Sequence, residues 1–172
     1  MLLKEAQLAD NVMLLTEYRP YSFEENGKPV TLYPAGCRAW HSTPGENNLG
    51  WIKKEAVDSS RYNIGVAHGA IEGLTLDKEG AYFLMTRSEL EAIPVDAWLI
   101  GHIHVPYPKE ITKELSPVGC IFNAGTHVQS DVNTNTEGLC FIIGIDENKH
   151  VLAKKFVSGN LRFVRREIVL TA

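Results

Sequence analysis

Ala97-Trp98-Leu99-Ile100-Gly101-His102-Ile103-His104-Val105-Pro106 is the stretch on which the reading of this chain turns. Its apolar, β-prone beginning reads as a buried strand, and Gly101 and Pro106 bound the loop into which that strand opens. The same pattern occurs upstream in Tyr62-Asn63-Ile64-Gly65-Val66-Ala67-His68-Gly69, where His68 closes an apolar run just before a glycine. Two buried strands that each end in exposed imidazoles make a ligand-binding arrangement, because catalytic groups collect on loops held by strand ends.

The spacing within the motif adds to this. In an extended segment, residues two apart point to the same side at about 6.5–7 Å, so His102 and His104 can converge on two metal ions about 3.5–4 Å apart, one imidazole per ion. Gly101 allows close backbone approach at the turn, and Pro106 prevents the segment from continuing as a helix. A single histidine in such a place reads as an ordinary half-buried polar residue. Three of them in two matching strand-end contexts read as a site.

The remainder of the 172 residues frames this core. A hydrophobic fraction of 44% and a charged fraction of 22% exclude disordered, collagen-like and coiled-coil chains. The length suits one domain, and neither a repeat nor a linker divides it. No apolar run reaches the roughly 18 residues of a membrane helix, and residues 1–10 carry Lys4, Glu5 and Asp10 where a leader would be apolar. The chain is therefore expected to be soluble and cytoplasmic. Cys37, Cys120 and Cys140 lack metal or redox spacing and are read as reduced core residues. A net charge of -4 argues against gripping nucleic acid with the whole surface. The local excess of Lys149, Lys154, Lys155, Arg162, Arg165 and Arg166 is read as a solvated sheet face in preference to a phosphate-binding surface.

Further β-rich runs predict strands at 11–15, 30–33, 120–123, 138–145, 151–157 and 161–170. The clearest helix spans Arg87 to Ala92, with Thr86 and Glu89 at capping-box spacing and Pro94 blocking its continuation. Asp146-Glu147-Asn148-Lys149 reads as a hairpin turn and Ser158-Gly159-Asn160 as the next, which makes the last third an antiparallel meander.

The combination of Gly101-His102-Ile103-His104 after an apolar strand with the upstream Val66-Ala67-His68-Gly69 resembles the last two metal motifs of calcineurin-like metallophosphoesterases. The nearer likeness is to the DNA repair exonuclease branch. Tyr82, the Arg87-Ser88-Glu89-Leu90 helix, Ile121-Phe122-Asn123-Ala124-Gly125-Thr126 and Glu137-Gly138 support it, and the likeness runs from about Val30 to Val169. The resemblance implies an α/β fold: the C-terminal half of a two-sheet metallophosphoesterase sandwich, mostly antiparallel with few helices. It also implies metal-dependent phosphoester hydrolysis, with phosphodiesters such as DNA ends as substrate and two divalent ions, Mn²⁺ foremost and Fe or Zn as alternatives. His68 and His102 would bind one ion and His104 the other.

The family's three earlier motifs are missing. The chain contains no Asp-x-His and no Gly-Asn-His, so the bridging carboxylate, the Asn ligand and the general-acid histidine have no counterparts. Hydrolysis through metal-bound hydroxide needs a second cation and charged ligands to hold the two dications together. Three imidazoles do not supply that. No catalytic residue is assigned, and the chain alone is expected to be inactive. It reads as one partial domain over residues 1–172 that self-associates or needs a partner chain supplying the other half, because Ile64, Val66, Leu99 and Ile100 would lack apolar partners. A non-catalytic binding module and a mononuclear three-histidine zinc hydrolase are the alternatives.

Weaker readings concern the remaining polar and aromatic residues. His127, which follows a strand end, is assigned to the surface or to a residue supporting a ligand from behind in preference to lining the cleft, and His41 and His150 are assigned to exposed loops. Glu72 and Asp96 either orient an imidazole or sit in solvated loops. Trp40 and Trp51, flanking the loop 42–50, read as packing anchors in preference to a base-stacking platform.

Overall fold

The computed structural model describes residues 9–52, 57–74, 80–130, 132 and 137–168. The leader reading of residues 1–8 and positions 169–170 of the last predicted strand lie outside the described residues. The architecture is mixed α/β with two sheets, many strands and very few helices. The elements are β1 (Tyr21–Glu25), β2 (Lys28–Ala35), β3 (Tyr62–His68), α1 (Arg87–Glu91), β4 (Ala97–Gly101), β5 (Ser116–Pro117), β6 (Ile121–Phe122), β7 (Leu139–Ile145) and β8 (Val151–Val157).

The larger sheet has the order β1-β2-β3-β4-β6, and the smaller one β5-β8-β7. The mostly antiparallel pairing expected after His104 holds in the small sheet, while the large sheet is mainly parallel. β2, β3, β4 and β6 are mutually parallel, and antiparallel pairing is confined to the β1–β2 hairpin and the small sheet. The reason is topological. The connections β2–β3 and β3–β4 are long crossovers, and crossovers return the chain to the same strand direction.

Both crossovers lie on one face of the large sheet and bury it. Leu49 and Ile52 from the first crossover, and Ile71, Met85, Leu90 and Ile93 from the second, pack with Tyr33, Ala67, Trp98 and Ile100 into the main core. At its centre Trp98 is fully buried. It lies beside its register partner Gly65, so close that a Cβ there would come within 2.2 Å of the ring. Its Nε1 donates to the Leu90 carbonyl at 2.9 Å, which ties β4 to α1. The helix forms where the sequence places it, with the Thr86–Glu89 capping box intact.

The opposite face is only partly covered. The small sheet packs Val151, Ala153, Phe141, Ile143 and Ile145 onto Ala97, Ile111 and Phe122 at the β4–β6 side. Toward β2 and β3 the face stays open. An apolar groove of about 570 Å³ remains there, with Leu15, Pro34, Val66, Leu99, Phe122 and Phe141 among its walls. Leu99 is 37% exposed, whereas Ile100, grouped with it in the sequence reading, is 5% exposed. Successive strand residues face opposite sides, so Leu99 opens its side chain to the groove while the Ile100 side chain turns into the main core, although both residues border the groove.

The electrostatic tie between the sheets comes from the β7–β8 turn. Lys149 donates to Asp96 Oδ2 at 3.0 Å and to the Arg61 carbonyl, and its ammonium lies 4.3 Å from the Tyr62 ring centroid. Asp96 also accepts the Asn63 amide at 2.7 Å. Lys149 is thus a docking residue and not part of a solvated basic face. Asp96 precedes β4, at the end opposite the histidines, and orients no imidazole.

Other expectations are also corrected. Residues 11–15 form no strand, because that segment pairs with no neighbour and is held by the Thr16 and Glu17 amides donating to Tyr21 Oη at 3.2 and 3.1 Å. Residues 161–168 are likewise unpaired, so the third strand of the small sheet is β5 and not the C-terminal run. Cys37 is exposed, and Cys120 and Cys140 are half-buried. Among the described residues no helix is long and apolar enough to cross a membrane.

Two substitutions test this account. Gly65→Ala drives a methyl into the Trp98 ring and should cost about 2–3 kcal/mol in chemical denaturation. A variant as stable as wild type would show that the strands are not held by this contact. Asp96→Ala leaves the half-buried Lys149 without its carboxylate and should cost about 2–3 kcal/mol. The exposed Lys28–Glu147 pair serves as control, and Lys28→Ala should move the unfolding transition far less.

Candidate functional site

The parallel strands β2, β3, β4 and β6 all deliver their carboxyl ends to one edge of the large sheet. Loops at that edge are where open α/β sheets bind ligands. His68 closes β3 and His102 follows β4. The register pairs His68 with Gly101, so the two imidazoles become neighbours, with ring centroids 5.2 Å apart in an edge-on arrangement. Gly101 packs closely against His68, since a Cβ there would lie 3.3 Å from its Nδ1 and press the ring aside by a few tenths of an ångström. Gly69 is needed on the other side, where a Cβ would meet the Phe83 carbonyl at 2.5 Å.

His102 has φ 110°, in the region that L-residues seldom adopt. Such a conformation costs on the order of 1–3 kcal/mol and persists when its surroundings hold it. It also breaks the extended geometry on which the His102–His104 spacing argument rested. His104 is exposed and lines neither the groove nor the pocket described below. Its loop is held from β6: Tyr107 and Asn123 exchange backbone hydrogen bonds at 2.7 and 2.8 Å, and Gly125 passes close under the His104 carbonyl. The structure therefore brings His68 and His102 together and leaves His104, two residues further along the same loop, outside the lining of the pocket.

A pocket of about 600 Å³ opens over the pair, lined by Cys37, Arg38, Ala39, Trp40, His41, His68, Tyr82, Phe83 and His102. Four rings form a continuous series: His41 to Tyr82, Tyr82 to His102 and His102 to His68, each pair 5.2 Å between centroids. The Cys37 thiol donates to the His68 carbonyl at 3.0 Å. Burial, followed by the neighbouring positive charge of His102, lowers the pKa of His68 below the ordinary histidine value. The ring accordingly favours its neutral form, which leaves a nitrogen lone pair available.

Residues 37–41 were not recognised as part of the site from sequence. The available signal was that they follow β2 just as His68 follows β3. Trp40 is 93% exposed on the pocket wall, contrary to the packing role expected of it. Trp51 does pack, stacking on Tyr18 and Tyr33 and donating to the Pro34 carbonyl at 2.9 Å. His127 is exposed and lines neither cavity, as is Glu72. His150 is exposed and bonded to Asp146 at 3.0 Å.

Neither cavity has an Asp or Glu among its lining residues. Among the described residues no three His, Cys, Asp or Glu side chains form a group able to hold a metal ion. Two imidazoles can contribute to a metal shell, but this donor set does not by itself fit a two-ion centre, which calls for bridging oxygen ligands. No protein-family model matches the chain, and no curated protein matches it.

The His68 environment carries a pH signature. Its folded form binds a proton less readily than an unfolded histidine, so the unfolded chain protonates first as pH falls. The contribution of His68 to stability is complete above about pH 6.5 and is lost progressively below it. Denaturation midpoints followed from about pH 8 to about pH 5 should fall, and His68→Gln should flatten the decline. An unchanged slope in that variant would rule out the neutral, desolvated ring.

Proposed function

We propose that this chain contributes the imidazole part of a phosphoesterase centre of the calcineurin-like metallophosphoesterase type, acting on phosphodiesters such as nucleic-acid ends. The observation that carries the reading is the adjacency of His68 and His102 at the ends of two parallel strands, 5.2 Å apart across a pocket free of carboxylates. The fold is read as the corresponding half of a two-sheet sandwich, and divalent ions such as Mn²⁺ as the cofactor. Arg38 and the absence of acidic lining favour an anionic ligand, which imidazole N–H groups can hydrogen-bond.

The missing oxygen ligands would come from another polypeptide. Its docking place is the apolar groove, which reaches His68 from the other face of the sheet, so that His68 belongs to both cavities. A segment seated along Val66, Leu99 and Phe141 would cover exposed apolar surface, each Å² contributing about 25 cal/mol, and would bring its carboxylates to the imidazoles. The reading as a single-zinc hydrolase has less support, because it needs His104 in the same shell as His68 and His102.

Metal titration and hydrolysis assays test the proposal together. Calorimetric titration with Mn²⁺ or Zn²⁺ should show weak binding that is lost in His68→Ala and in His102→Ala. With Mn²⁺ present, the chain should hydrolyse bis(p-nitrophenyl) phosphate no faster than the His68→Ala/His102→Ala double variant. Metal binding that survives both single substitutions would overturn the role of the imidazoles. A wild-type chain clearly faster than an inactive double variant would show that the site is complete as it stands.

A further inference from the structure

We propose that Trp40, with His41 and Tyr82, forms a stacking platform for a planar aromatic ring carried by the ligand of the His68–His102 pocket, a nucleobase being the ring of the right chemistry. The inference deepens the phosphoester reading above and rests on it for the position of the phosphate.

The contrast among the three tryptophans is the first observation. Trp98 is fully buried with its indole N–H bonded to Leu90, and Trp51 stacks on two tyrosines with its N–H bonded to Pro34. Trp40 is 93% exposed, and among the described residues its ring and its N–H have no partner. A lone exposed apolar side chain needs no explanation, but this one is not isolated. It is part of the wall of a pocket of about 600 Å³ in which the His41, Tyr82, His102 and His68 rings form an unbroken series.

The second observation is that the platform is rigid at its base. Ser42, next to His41, donates its amide to the Ala81 carbonyl at 2.8 Å and its hydroxyl to the Gly80 carbonyl at 3.1 Å, and it accepts the Phe83 amide at 2.8 Å. These bonds lock the Trp40 loop to the Tyr82 loop. At the loop's start the Gly36 carbonyl accepts from Tyr18 Oη at 2.6 Å and from Asn48 Nδ2 at 2.8 Å, and Arg38 lies over the Tyr18 ring at 3.9 Å. With its loop fixed at both ends, the exposed Trp40 indole stands beside the Tyr82 phenol, where it can flank a flat ring. The charge then sorts the ligand's two ends, with the anionic group toward the imidazoles and Arg38 and the ring toward Trp40.

The test uses the full chain without added metal and compares adenosine monophosphate, ribose 5-phosphate and adenosine by calorimetry. Intrinsic fluorescence provides a second readout, because Trp40 is the exposed indole. Adenosine monophosphate should bind about tenfold more tightly than ribose 5-phosphate and quench the emission, as expected for one stacked base. Trp40→Leu should remove that advantage while leaving ribose 5-phosphate binding and the thermal midpoint unchanged, and Trp40→Phe should retain part of it. Equal affinities for the two phosphates, or a preference that persists in Trp40→Leu, would overturn the platform. If adenosine bound as tightly as its monophosphate and Trp40→Leu abolished both, the platform would stand and the phosphoester reading would fall. If His68→Ala and His102→Ala weakened both phosphates alike and kept the tenfold ratio, both readings would stand.

Discussion

The contact between Gly65 and Trp98 sets the geometry from which the rest follows. An indole can lie against β3 only where the facing residue has no side chain, and Gly65 provides that position. The same indole bonds to the C-terminal end of α1 through the Leu90 carbonyl. Strand, neighbouring strand and helix are thereby fixed by one side chain, and with them the register that pairs His68 with Gly101. The two imidazoles are adjacent because of packing about three residues further back along the strands.

The unequal treatment of the two faces of the large sheet explains where chemistry can occur. One face is sealed by both crossovers into a continuous apolar core. The other carries the small sheet at one side only, clamped by Lys149 reaching under the strands to Asp96 and the Arg61 carbonyl. The carboxyl ends of the parallel strands lie where the sealed and open regions meet. A pocket walled by imidazoles and aromatic rings and an apolar groove therefore meet at His68, a position that neither a fully covered nor a fully exposed sheet would create.

Much of this was legible locally. β3 and β4 declare themselves as apolar runs ending in Gly and His, the capping box announces α1, and Asp146 to Lys149 announces the β7–β8 turn. What depends on distant partners was not legible. β1 is half polar and was passed over, although Asn26-Gly27 is a two-residue hairpin signal and both residues have positive φ. β5 is two residues long and exists only through its neighbour β8, whereas β6 falls within the strand expected at 120–123. The parallel order of the sheet, the docking of Lys149 and the placement of Trp40 beside His68 are products of crossovers that no local window contains. The segment 161–168 shows the converse, since strand-like sequence without a partner edge does not become a strand.

The two rims of the large sheet differ in length but have the same effect. At one rim β1 presents five residues with Glu24 and Glu25 exposed, and acidic side chains on a short border strand repel a further strand. At the other, β6 offers only two residues to pair with. Neither rim is a template for lateral growth, so the sheet does not readily lengthen into a ribbon of repeated copies. On the large sheet, the surface left for association is therefore the open face, where side-chain shape and not backbone pairing would select a partner.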